Sequence, residues 1–199
     1  TGTPTLTLSN GVTASYTSGS GSAALVFRYT VAEGNTDSSD LSVSSYSGTI
    51  ADAAGNAAAA ASGDLGSVVV DANSPALVSV AAADATYKVG QNIDITVTWD
   101  QDVTVTDTPT LTLSNGATAT YQSGDNSAAF VFRYTVAEGD TASADLSVSS
   151  YSGTITDTAG NAAAAASGDL GSVIVDANKP TISSVTSTTN DGTYKQGDT

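Results

Sequence analysis

The chain repeats itself with a spacing of 105 residues. The stretch TPTLTLSNG at 3–11 returns at 108–116, and the same offset carries Arg28 to Arg133, Tyr46 to Tyr151, Asn56 to Asn161 and Pro75 to Pro180. About four in five positions from Thr3 to Val80 match their partners. Further on the offset becomes 107, as ATYKVGQ around Tyr87 returns as GTYKQGD around Tyr194. A two-residue loop insertion accounts for that change, because surface loops absorb length at small entropic cost. Self-similarity of this kind means that one folding unit of about 105 residues is used more than once. A complete unit is expected at 75–179, the latter part of another at 1–74, and the opening of a third at 180–199.

Within the complete unit the apolar pattern has the period of strands. NIDITVTW at 92–99 places Ile93, Ile95, Val97 and Trp99 on one face, since alternate residues of a strand point the same way. Further strands are expected at 76–82, 110–113, 117–121, 128–136, 146–156 and 172–175. The segments 110–113 and 117–121 flank Ser114-Asn115-Gly116, a hairpin signal because Asn and Gly tolerate positive φ. Ala propensity favours helix in the runs 57–61 and 162–166. Each run is too short for an isolated helix and closes on Ser-Gly-Asp, so both read as strand or loop. Seven strands in about 105 residues, with no helix, predict tandem immunoglobulin-like β-sandwiches.

Composition removes several functions. With 20 acidic and 5 basic residues the net charge is −15, which repels nucleic-acid backbones and anionic membrane surfaces. Without Cys, neither a disulfide nor a thiolate metal site can form. Without His, the commonest general base and transition-metal ligand are missing. A metal bound here would be a hard cation held by oxygen. No apolar run approaches the roughly 20 residues of a membrane-spanning helix.

The acids gather where two units are expected to meet. Strands of a sandwich alternate in direction, so the loop after 128–136 of one unit faces the loops after 92–99 and 146–156 of the next, with the linker between. The linker reads Asp71-Ala72-Asn73-Ser74-Pro75. The preceding loop offers Glu33, Asp37 and Asp40; the following unit offers Asp100, Asp102, Asp157 and Asn161, with Asp125 nearby. Converging carboxylates repel one another unless they are neutralised. Ca²⁺, which takes about six to eight oxygens from carboxylates, carbonyls and water, would do so. Linker Asp and Asn also accept turn geometry, and Pro75 restricts the backbone that follows.

The pattern Ile-x-Asp-x-Ala-Gly-Asn at 50–56 and 155–161, then VVVDANSP or VIVDANKP, then GTYKQGD, resembles the bacterial immunoglobulin-like repeats of giant surface adhesins, including biofilm-associated and RTX-type adhesins. The resemblance covers essentially the whole chain and specifies a repeat class, not one protein. It implies an extracellular, cell-surface extender that holds an adhesive tip away from the cell, with Ca²⁺ stiffening the junctions. By position it implies Asp71, Asn73 and Asp157 as ligands, together with Glu33 and Asp100 or Asp102. At the next junction it implies Asp176, Asn178 and Glu138. The expected partners are neighbouring repeats of the same chain, with lateral self-association as a further option.

Two other readings compete. A carboxylate pair at Asp100 and Asp102 would suit glycoside hydrolysis. Only Trp99 is aromatic nearby, however, and it takes a core position. No enzyme is expected. A self-assembling filament or surface-layer component, or a glycan- or surface-binding module, is the other alternative, since exposed edge strands and Thr-rich faces would serve either.

Overall fold

The computed structural model describes residues 3–188 and 190–198, and these form an all-β structure of mainly antiparallel sheets. Five strands come first: β1 (Thr5–Leu8), β2 (Thr13–Ser18), β3 (Val26–Arg28), β4 (Ser42–Ser47) and β5 (Gly63–Asp64). They make one sheet in the order β3-β2-β1-β4-β5. Ten strands follow: β6 (Leu77–Ala82), β7 (Ala85–Lys88), β8 (Asn92–Val105), β9 (Thr110–Leu113), β10 (Thr118–Ser123), β11 (Ser127–Thr135), β12 (Ser147–Ser152), β13 (Ile155–Thr156), β14 (Gly168–Asp169) and β15 (Val173–Asp176). Eight of them form a sheet ordered β13-β8-β11-β10-β9-β12-β14, with β6 also on β8. The remaining two, β7 and β15, pair in parallel.

The central sheet encloses one apolar core, which draws on β8 through Ile93, Ile95, Val97 and Trp99, and on β11 through Phe130, Phe132 and Tyr134. Leu111 and Leu113 of β9, Val148 of β12 and Val173 and Val175 of β15 face the same core. An enclosure of this kind is compatible with a β-sandwich. Burying each large aliphatic or aromatic side chain there contributes about 1.5–3 kcal/mol. Phe130 stands edge-on to Trp99 at 5.2 Å and to Tyr121 at 5.3 Å, an arrangement that adds to the area term.

Several strand limits differ from the sequence expectation. Strand β8 does not stop at Trp99 but runs on to Val105. Its pairing to β11 jumps from Ala129↔Thr98 to Ser127↔Val103, so residues 99–102 bulge out opposite a single residue. Asp100 and Asp102 therefore lie in a strand bulge and not in a loop. The expected strand 146–156 is divided into β12 and β13 at Gly153, where φ is 107° and an added Cβ would lie 2.7 Å from Pro109 Cα. In the hairpin between β9 and β10 only Gly116 takes positive φ, while Asn115 uses its side chain, accepting from the Ala117 N–H at 3.1 Å. Neither Ala run forms helix. Among the described residues no helix is long and apolar enough to cross a membrane.

Candidate cation site at the linker

The linker between the two sheets is bonded from both sides. From the N-terminal sheet, Asp37 accepts the Ala72 N–H at 2.8 Å and the Asn73 Nδ2–H at 2.6 Å. Glu33 accepts the Ser74 N–H at 3.1 Å and its hydroxyl at 2.6 Å, and Gly34 N–H donates to Ala72 O at 2.9 Å. From the central sheet, Gln101 donates to Asn73 O at 3.0 Å and Asp100 accepts the Ala76 N–H at 2.8 Å. Asn161 donates to Asp71 O at 3.2 Å, and Ala164 N–H donates to Pro75 O at 2.8 Å. Pro75 and Ala72 are buried, so polar linker groups beside them need partners inside the protein.

Among the described residues Asp157 is the buried charged one, at 5 % exposure. The loop that carries it is local in origin. Its Oδ1 accepts backbone N–H groups of Ala159, Gly160 and Asn161 at 2.8–2.9 Å, an Asx-type turn that Asp favours. The other oxygen, Oδ2, faces the linker and accepts from Asn161 at 2.8 Å and from Gln101 at 3.5 Å. Two side-chain amides thus gather the linker oxygens. Asn161 Nδ2 touches Asp157 Oδ2, Asp71 O and, at 3.4 Å, Asp71 Oδ1. Gln101 Nε2 touches Asn73 O and Asp157 Oδ2.

The two bonds from Ser74 hold the Glu33 carboxyl below its ordinary value, outweighing its desolvation and the opposing charge of Asp157. This sign makes the Glu33–Ser74 contact a stabilising one above the usual carboxylate range, lost as pH falls through it.

Of the residues singled out from the sequence, Asp71, Asn73, Asp157, Asn161, Asp100 and Glu33 all meet at or beside the linker. Asp102 is exposed in the β8 bulge, and Asp125 is engaged elsewhere, accepting the Val105 N–H at 2.9 Å. At the second linker Asp176 accepts the Asn178 N–H at 3.1 Å, and Glu138 pairs with Lys179. Two residues outside the ligand set hold the linker as firmly as any within it. Asp37 was visible only as one of three loop acids. Gln101 gave no sequence signal, since its reach to Asn73 comes from the β8 bulge.

Among the described residues no group of three or more Asp or Glu side chains converges as a metal cluster. The linker oxygens are mixed and are gathered on two amides, the Asp71 carbonyl and carboxylate with Asp157 on Asn161 and the Asn73 carbonyl with Asp157 on Gln101. A donor set of carbonyls and carboxylates is what a hard cation such as Ca²⁺ accepts. No family model, curated protein or solved structure matches the chain.

Proposed function

We propose that this chain is an extender segment of a bacterial cell-surface adhesin: immunoglobulin-like sandwiches in tandem, joined by linkers that Ca²⁺ stiffens, serving cell adhesion or biofilm formation. The observation that carries this reading is the linker, bonded by Glu33, Gly34 and Asp37 on one side and by Asp100, Gln101 and Asn161 on the other. Such bracing resists bending, which is the property a stalk needs. Ca²⁺ would be held by Asp71, Asn73 and Asp157, and would neutralise carboxylates that otherwise repel. At the second linker the same role falls to Asp176 and Asn178, where Lys179 already neutralises Glu138.

The test is small-angle scattering and thermal unfolding of the full chain in millimolar Ca²⁺ and in excess chelator. The expected result is a longer, narrower distance distribution and a higher Tm with Ca²⁺. A ligand at about 100 times its Kd adds about 2.7 kcal/mol to the folded state. Asp157→Asn should abolish both changes. Identical curves with and without Ca²⁺ would remove the cation from the account and leave hydrogen bonds alone to brace the linker.

A further inference from the structure

Between the two linkers, the first stretch of chain is divided between two sheets. β6 lies antiparallel on β8, from Leu77↔Trp99 to Ala82↔Ile95. After Ala83 and Asp84 the chain continues as β7, which leaves that sheet. β7 runs parallel to β15, from Ala85↔Val173 to Lys88↔Asp176. The first linker, 71–75, enters just ahead of β6, and the second leaves directly from the end of β15. The two strands nearest the two points of exit are therefore joined to each other.

Direction decides what tension does to them. Pulling on the two linkers draws β7 toward its N-terminal end and β15 toward its C-terminal end. In a parallel pair those pulls oppose each other along the strand axes, so the evenly spaced bonds of the ladder are strained together. Each strand is held on its own account. Val173 and Val175 are buried in the core, and Val175 exchanges backbone bonds of 2.8 and 3.0 Å with Ser143. β7 continues from β6, and the Tyr87 hydroxyl donates to Ala83 O at 2.9 Å. The base of the pair is tied by one side chain: Asp84 Oδ1 accepts the Ser172 N–H at 2.9 Å. The approach is close enough that a Cβ on Gly171, where φ is 87°, would lie 2.7 Å from that oxygen.

We propose that β7 and β15 form the joint that bears tension between the two linkers, with Asp84 as its positioning residue. The joint yields by sliding one strand past the other, and Asp84 holds the pair in register at the end where sliding begins. This goes beyond the bracing of the linker: it concerns pulling along the chain and is independent of any cation.

The test is single-molecule pulling of the full chain in excess chelator. The chain has no Cys, so introduced thiols define where force enters. Handles at Ala76→Cys and Asn178→Cys, both exposed positions, load β7 and β15 in shear. Handles at Lys88→Cys and Asn178→Cys load the same strands from one end, where Lys88 faces Asp176, and open the ladder bond by bond. The shear geometry should unfold at a clearly higher force. Asp84→Ala removes a charge-assisted bond and should speed shear unfolding about tenfold at constant force. It should leave peeling unchanged, because Asp84 lies at the far end of the pair. Asp84→Asn, which can still accept from Ser172, should recover most of the loss. Equal forces in the two geometries overturn the proposal. So does an Asp84→Ala effect that is absent in shear, or equal in shear and peeling, because Asp84 then lies on no load path.

Discussion

Two stretches of nearly the same sequence, 3–72 and 108–177, share the register of their first hairpin and differ in how far their strands extend and how deeply they are buried. Strands β1 and β2 pair as Thr5↔Ser15 and Leu6↔Ala14, and β9 and β10 pair as Thr110↔Thr120 and Leu111↔Ala119, the same register 105 residues on. Yet Phe27 is half-buried where Phe132 is fully buried, and Ile50 half-buried where Ile155 is 1 % exposed. The difference is the strand laid against them. β8 supplies Ile93, Ile95, Val97 and Trp99 to one core, and nothing of that kind in residues 3–72 supplies the other. Hairpin register is therefore set by local pattern and turn, whereas the burial that stabilises a sheet depends on a partner remote in sequence.

The sharpest break in this comparison is a matched pair of truncations. Phe132→Ala should cost about 3–5 kcal/mol in chemical unfolding of the central sheet. Phe27→Ala should cost well under half as much in hydrogen exchange of the N-terminal sheet. Equal costs would mean that the two sheets are equally packed.

The paired loops test the next level. Asp52 and Asp157 make the same turn, Asp52 accepting the Ala54 and Asn56 N–H groups at 2.9 and 2.8 Å. Only Asp157 is buried and faces a linker. Its replacement by Ala should cost about 3 kcal/mol, clearly more than Asp52→Ala, where water can take over the exposed donors. Calorimetry of the two variants would show whether burial or the turn itself sets the cost.

A pH series tests the burial of the Tyr134 hydroxyl. Burial, and then the hydroxyl's bond to Asp140 at 2.7 Å, pushes Tyr134 up to about 12. A raised value in the folded state means that the stabilisation is complete below about pH 10 and is lost as pH rises toward about 12. Unfolding followed from pH 9 to 12 should show the central sheet weakening across that window, and Tyr134→Phe should flatten the curve. In the N-terminal sheet Tyr29 donates to Asn35, an uncharged partner, at the corresponding place.

The smallest effect belongs to the ion pair. Arg133 and Asp94 are each about half exposed, so Arg133→Ala should lower stability only slightly, and less still in high salt. Arg28→Ala should leave stability unchanged. A measurable loss at Arg28 would show that it already has a partner in this chain.

Much of the linker was legible. Asp-Ala-Asn-Ser-Pro gave its place and its acids, and the flanking acids Glu33, Asp100 and Asp157 do meet it. Two contacts were hidden. Gln101 reaches Asn73 only because four residues of β8 bulge opposite one of β11. Asp37 was one of several loop acids, and its bonds to Ala72 and Asn73 single it out. Its counterpart is Ala142, and Ser74 is matched by Lys179. The second linker is consequently held by an ion pair, Lys179 to Glu138, where the first is held by hydrogen bonds.

The sequence by itself determined what is local: the strands and their alternation, the Asn-Gly hairpin, the Asp-x-Ala-Gly-Asn turn that closes alike whether exposed or buried, and the 105-residue spacing. These depend on backbone propensity and on side chains within a few residues of one another. Only the tertiary structure decided how far a strand extends, which copy of an identical residue is buried, and which oxygens face one another across Asp71–Pro75. Those outcomes depend on β8 and its bulge, since apolar burial and the pairing of polar groups belong to surfaces in contact and not to either strand alone.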